Sequence, residues 1–239
     1  FAHPTVPSVH PYLLLNFQGK TNDVMTLAHE LGHGIHQILA SSQGMLISET
    51  PLIMAETASV FGEQLTFRKL LKSVKGKAAK QSLLASKIED MLNTIIRQIS
   101  FYEFERLLHH ERRSGEISQE RIGELWMSVQ AESLGPAFKL AAEYRYFWTY
   151  VPHFVHEPFY VYAYAFGDCL VNSLYKLYLE GIENFEEKYI GLLKSGGSLK
   201  YSQLISTFGL DASSPGFWKS GLNVIENLID ELAAVELEG

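Results

Sequence analysis

TNDVMTLAHELGHGIHQILAS, residues 21–41, decides how the rest of the chain is read. Val24, Leu27, Ala28, Leu31, Ile35 and Ile38 recur at helical spacing, with Thr21 as the expected N-cap and Asn22 and Asp23 in the first turn. The stretch predicts an amphipathic helix, and HELGH (29–33) lies inside it. Residues four apart on a helix share a face, so His29 and His33 can present two imidazoles to one ion. Glu30, one step round from His29, falls beside that ion rather than on it. Its carboxylate can there take a proton from a zinc-bound water, the general-base position of helical zinc hydrolases. Gly32 and Gly34 each cost a helix interior about 1 kcal/mol relative to alanine, which implies a close approach to this backbone.

Two imidazoles and a water leave one position open on a tetrahedral zinc. A metzincin would fill it with a histidine six residues beyond His33, but Leu39 stands there and excludes that class. The next predicted helix, capped at Thr50-Pro51 and running to about Lys72, carries Glu56, Ser59 and Glu63 as a polar stripe through apolar surroundings. A charged stripe facing a core is costly unless it binds something. Glu56, flanked by small and apolar residues, is the expected third ligand to one Zn2+ per chain. Glu63 or Ser59 is expected to support the ligands, and Glu49 is the reserve ligand. His36 lies about 10 Å along the axis from His29, too far for the same ion, and is expected to support a ligand or face substrate.

Working outward, Pro4, Pro7 and Pro11 keep the first dozen residues out of helix, and YLLLNF (Tyr12 to Phe17) reads as a short strand. Helical patterns follow at about 77–112 and 118–134, then at about 137–149, 159–180, 183–194, 199–208 and 216–235. There is no internal repeat and no low-complexity linker. The expected fold is mainly α, one domain over 1–239, with a short β strand or hairpin at its start.

Composition narrows the function. The 239 residues are 46% hydrophobic, ample for a core, and carry a formal net charge of −7. An acidic surface does not displace the counterions of nucleic acid, so no nucleic-acid partner is expected. No apolar run reaches the roughly eighteen residues of a membrane span, and no basic-then-apolar leader opens the chain. One cysteine, Cys169, cannot form an internal disulfide, which points to the cytoplasm. The opening FAHPTVPSVHPY lacks Met and starts within an extended segment, so the chain is expected to be the C-terminal part of something longer. His109 and His110, beside Arg112 and Arg113 at a helix end, are expected to be solvated.

HFVHEPFYVYAYAFG (153–167) packs two histidines and three tyrosines into one short span. Most aromatic clusters are core, but a hydrolase also needs a donor for the oxyanion of its tetrahedral intermediate, and a Tyr hydroxyl or His N–H supplies one. Spacing alone does not choose between His153 and His156, or among Tyr160, Tyr162 and Tyr164.

HPYLLLNFQGKTNDVMTLAHELGHGIHQ (10–37), MAETASVFGE (54–63) and VPHFVHEPFYVYAYAFGDCLVNSLY (151–175) together resemble the catalytic region of the oligoendopeptidase F group of thimet-oligopeptidase-like (M3) zinc peptidases. The resemblance continues through LLKSGGS (192–198) to the C-terminus. It implies a zincin-type helical catalytic domain, part of a prolate molecule whose deep channel admits short peptides and excludes folded proteins. It implies further that His29, His33 and Glu56 bind zinc and that Glu30 is the base. The oxyanion donors it implies are His153 first, then Tyr160 and Tyr164. The expected activity is that of a zinc metalloendopeptidase (class 3.4.24) hydrolysing short oligopeptides, with an N-terminal half of the same enzyme as partner. A binding domain that keeps the fold without turnover is the alternative, and Glu30 speaks against it, because a structural zinc site needs no base.

Overall fold

The structure, a computed structural model, describes residues 1–237. The chain forms two compact units, Phe1–Glu89 with the segment from Gly167 on, and Asp90–Phe166. Helices dominate both, and the sheet among the described residues has two strands.

That sheet opens the first unit. β1 (Ala2–His3) runs antiparallel to β2 (Tyr12–Leu13), pairing Ala2 with Leu13 and His3 with Tyr12. The ladder covers only the first two residues of the strand expected over Tyr12 to Phe17; Leu14 N–H still donates to the Phe1 carbonyl at 2.9 Å, and at the other end Pro4 falls opposite Pro11, neither of which can donate.

Helix α1 (Thr21–Ala40) follows. Its N-cap is Lys20, one residue before the expected Thr21. Asp23 Oδ2 accepts the backbone N–H groups of Lys20 and Gln18, both at 2.8 Å, and closes the first turn. The buried face of α1 is not the apolar stripe that the spacing predicts. Leu31, Ile35 and Ile38 are 45%, 52% and 57% exposed, whereas Glu30, Gly32, Gly34, His36 and Ala40 are buried.

The helix expected from Pro51 to Lys72 is broken. α2 (Leu52–Ala55) stops at Glu56, whose φ of −84° and ψ of 1° lie between helical and extended values, and α3 (Thr57–Ser73) restarts beyond it. α1 and α3 cross with their backbones nearly touching. A Cβ on Gly32 would stand 2.5 Å from Ser59 Cα and 2.6 Å from the Ala58 carbonyl oxygen. One on Gly62 would stand 3.2 Å from the Ala28 carbonyl oxygen. Gly34 is looser: its Cβ would meet only side-chain atoms of Leu13 and Pro11, at 3.6 and 3.8 Å.

α4 (Lys77–Leu92) passes through a π-helical segment, Asn93–Arg97, into α5 (Gln98–Arg112), where one long helix is predicted. α6 (Gln119–Leu134) is capped by Ser118, whose Oγ accepts the Arg121 N–H at 3.2 Å. The helix predicted at 137–149 is instead a 3-10 segment, Ala142–Tyr150, leading to the single turn α7 (His153–His156). The core of the second unit is Phe101, Phe104, Leu125, Trp126, Val151 and Val161. Phe104 meets the Trp126 ring edge-on at 5.3 Å between centroids. Each such fully buried side chain contributes about 1.5–3 kcal/mol.

α8 (Tyr162–Glu180), α9 (Phe185–Lys194), α10 (Tyr201–Ser206) and α11 (Pro215–Leu237) complete the chain. Phe61 of α3 is ringed by Tyr175, Tyr178, Phe185 and Tyr189, with centroids 4.6 to 5.9 Å away, which fastens α3 to α8 and α9. Gly221 of α11 lies so near α8 that a Cβ would come within 3.0 Å of Cys169, itself buried. No helix among the described residues is long and apolar enough to cross a membrane.

Candidate active site and metal centre

Among the described residues, His29, His33 and Glu56 form a group of metal donors, one ligand atom from each lying within 4.8 Å of the others. His29 Nε2 and His33 Nε2 stand 3.0 Å apart, and each is 3.5 Å from Glu56 Oε2. Donors about 2.05 Å from a tetrahedral zinc lie about 3.3 Å from one another. The triangle therefore fits zinc with one corner left open. One turn of α1 separates the two histidines, and the break before α3 sets the Glu56 carboxylate at that helix's N-terminal end, where the helix dipole favours an anion. The close crossing at Gly32 sets the distance between the two helices that carry the donors.

A second layer fixes these donors. Glu63 Oε1 accepts from His29 Nδ1 at 2.6 Å, so the proton sits on Nδ1 and the Nε2 lone pair faces the triangle. Ser59 Oγ donates to Glu56 Oε2 at 2.7 Å. Lys87 Nζ donates to Glu63 Oε2 at 3.2 Å, and Lys87 is buried, 6% exposed. Burial works against the charge of Glu63, but His29 and Lys87 outweigh it and hold its pKa below the ordinary value. Behind them, Asn172 Nδ2 donates to Asp168 Oδ2 at 3.1 Å, and Gln64 Nε2 donates to Asn172 Oδ1 at 3.0 Å. Burial pushes the Asp168 carboxyl up to about 6. The sequence reading names Glu63 and Ser59 but misses Lys87, Asp168 and Asn172. A lone carboxylate within the apolar run YAYAFGDCLVNSLY was a usable signal for Asp168. Lys87, in KAAKQSLLASKIED, reads as one more solvated lysine.

Glu30 stands outside the donor triangle and is buried. Glu49 is exposed and also outside the triangle. It lines a cavity of about 690 Å³ shared by His33, His36, Gln37, Thr50 and the segment 4–11. His36 is buried beside it, with Nε2 3.4 Å from Thr50 Oγ1. Burial, with the neighbouring His33 adding, lowers its pKa to about 4.

In the second unit, His153, Tyr160 and Tyr164 form one ring cluster, with centroids 5.3 to 5.9 Å apart. The Tyr164 hydroxyl meets His153 Nε2 at 3.4 Å. The two residues that spacing leaves as alternatives lie elsewhere: His156 is exposed, and the Tyr162 ring meets Tyr102 at 5.9 Å. Between His153 and Tyr160 the chain turns through Phe159, whose φ of 62° is left-handed and strained for a bulky residue. The Phe159 N–H donates to Glu105 Oε1 at 2.8 Å, and its ring lies 4.8 Å from that of His109. Burial raises the pKa of Glu105.

A model of peptidase family M3 matches residues 2–224. Oligoendopeptidase F homologues of Lactococcus lactis subsp. lactis (strain IL1403) and Borreliella burgdorferi are each 30% identical to the chain, over 95% and 94% of it. The chain spans 38% of the length of these curated relatives. Among solved structures, oligoendopeptidase-F from Enterococcus faecium is 25% identical, covers 91% of this chain and 40% of its own, and superposes with a TM-score of 0.79. A candidate peptidase from Chlamydophila abortus is 28% identical, over 98% of this chain and 40% of its own, with a TM-score of 0.88.

Proposed function

Because the chain belongs to peptidase family M3, we propose that it carries the catalytic centre of a zinc-dependent metallo-endopeptidase acting on short oligopeptides. The observation that carries this reading is the donor triangle of His29, His33 and Glu56, with sides of 3.0, 3.5 and 3.5 Å. Zinc held there supplies Lewis acidity, polarising the scissile carbonyl and acidifying the attacking water. Glu30 takes that water's proton and returns it to the leaving amine. Glu63 keeps the His29 tautomer that offers Nε2, and Ser59 holds the Glu56 carboxylate in line. His153, Tyr160 and Tyr164 are assigned as donors to the oxyanion. The cavity beside His33 and His36 receives part of the peptide. The single buried cysteine goes with a reducing, cytoplasmic setting.

Metal analysis combined with cleavage of a quenched fluorescent peptide tests the reading. One zinc per chain and metal-dependent cleavage are expected. Glu30→Gln should keep the zinc and lose most of the cleavage, since the amide is isosteric but accepts no proton. Loss of zinc from that variant would make Glu30 a ligand and overturn the mechanism.

A further inference from the structure

We propose that Lys87 is a positioning residue for the metal centre, acting on His29 through Glu63. The inference rests on the zinc reading of the site. Its first support is burial. Lys87 is 6% exposed, and a buried ammonium persists only where an anion compensates it. Its second support is the way Glu63 is shared. One oxygen accepts from His29 Nδ1 at 2.6 Å, and the other accepts from Lys87 Nζ at 3.2 Å. With both oxygens engaged, the carboxylate cannot rotate off the imidazole without abandoning the lysine.

The chemistry gives the arrangement a purpose. The Glu63 side chain is 21% exposed, and its two oxygens are fixed by His29 Nδ1 on one side and Lys87 Nζ on the other. Without the lysine the carboxylate would be free to turn, and the ring orientation that aims His29 Nε2 at the donor triangle would lose its anchor. Lys87 opposes this by holding the second oxygen in place. Asp168, tied by Asn172 at 3.1 Å, also feels the charge of the same ammonium, so the lysine acts on more than one acidic group. A lysine that served only the fold would affect stability whatever stood at position 63. One that acts through Glu63 affects zinc binding only while Glu63 carries its carboxylate.

The experiment measures zinc affinity of the full chain by competition with a chromophoric chelator, and melting of the metal-free chain by circular dichroism. The variants are Lys87→Met, Lys87→Gln, Glu63→Gln and the two doubles. Lys87→Gln keeps a hydrogen-bond donor without the charge and carries the test if Lys87→Met does not fold. Each lysine variant is expected to weaken zinc binding by at least about 10-fold, the lower end of what loss of a ligand-orienting group does. In the Glu63→Gln background the same change should cost less than about 3-fold, because what it acts through is gone. Zinc affinity unchanged in folded lysine variants would overturn the proposal, and so would an equal loss in both backgrounds. A wild-type chain that bound no zinc would overturn the reading of the site, and this proposal with it.

Discussion

Gly32→Ala is the perturbation that most directly tests how the centre is assembled. Judged by helix propensity alone, alanine in the middle of α1 should stabilise the chain by about 1 kcal/mol. The crossing with α3 reverses that expectation. The new methyl carbon would stand 2.5 Å from Ser59 Cα and 2.7 Å from the Ala58 carbonyl carbon. Carbon atoms rest about 3.5–4.0 Å apart, so the helices must separate by about 1 Å, and the obstacle is backbone that cannot swing aside. Overpacking of this kind costs about 1–3 kcal/mol before the propensity gain is set against it, and occasionally more. Glu56 stands at the start of α3 and moves with it, so the 3.5 Å edges to His29 and His33 lengthen toward about 4.5 Å. Ligand distances tolerate only about 0.2 Å. The expected result is a melting temperature lowered by a few degrees in the metal-free chain and zinc affinity reduced by at least about 10-fold. Gly34→Ala is the matched control. Its methyl would meet only Leu13 and Pro11 side-chain atoms, at 3.6 and 3.8 Å, so it should leave zinc binding intact and raise stability by up to about 1 kcal/mol. A Gly32→Ala chain that melted no lower than wild type and bound zinc as tightly would refute the reasoning.

Two further expectations follow from the same geometry. Tyr164→Phe and His153→Ala, assayed on a quenched peptide, should each lower kcat by about 10²- to 10³-fold with little change in KM or melting, whereas a purely packing role would lower melting and spare turnover. The pH dependence of melting should separate His36 from Asp168 in the metal-free chain. His36 has its pKa lowered from 6.5 to about 4, so the unfolded chain takes up that proton first and stability is lost as pH falls through this window. Asp168 is raised from 3.8 to about 6, so the folded chain takes up its proton first and stability is gained as pH falls from 6 toward 3.8. Asp168→Asn should therefore steepen the acid loss, and His36→Asn should flatten it. Three parallel melting curves would sink this assignment.

What the sequence made legible was what short-range periodicity governs. The helix from Thr21 to Ala40 and the shared face of His29 and His33 follow from the 3.6-residue repeat and need no partner to be inferred. Which face of that helix is buried was not legible. Leu31, Ile35 and Ile38 are exposed because α3 approaches on the side of Gly32, and a local pattern carries no information about where a neighbouring backbone lies. The break at Glu56 was hidden for a related reason. LIMAETASV holds no glycine or proline to announce a break, and only the backbone angles of Glu56 in the folded chain mark it. Lys87 was hidden most completely, since its burial and its bond to Glu63 are long-range facts about a residue whose neighbours in sequence look like a wet helix face. His153 and His156 differ by one helical turn in sequence, and only the packing of rings, which requires the folded chain, distinguishes them.

The seal that Gly221 places over Cys169 gives the first unit a clock. The thiol is 1% exposed, and burial, with the charge of Asp168 adding, pushes its pKa up to about 12. At neutral pH almost none of it is thiolate, and no reagent reaches it while α11 rests on α8. It is also the one cysteine in the chain. Labelling by a disulfide reagent is therefore gated by how often that helical layer opens, and its rate reads out the opening equilibrium directly. The molecule thus reports its own breathing through a native atom, in the presence or absence of metal and without an introduced probe.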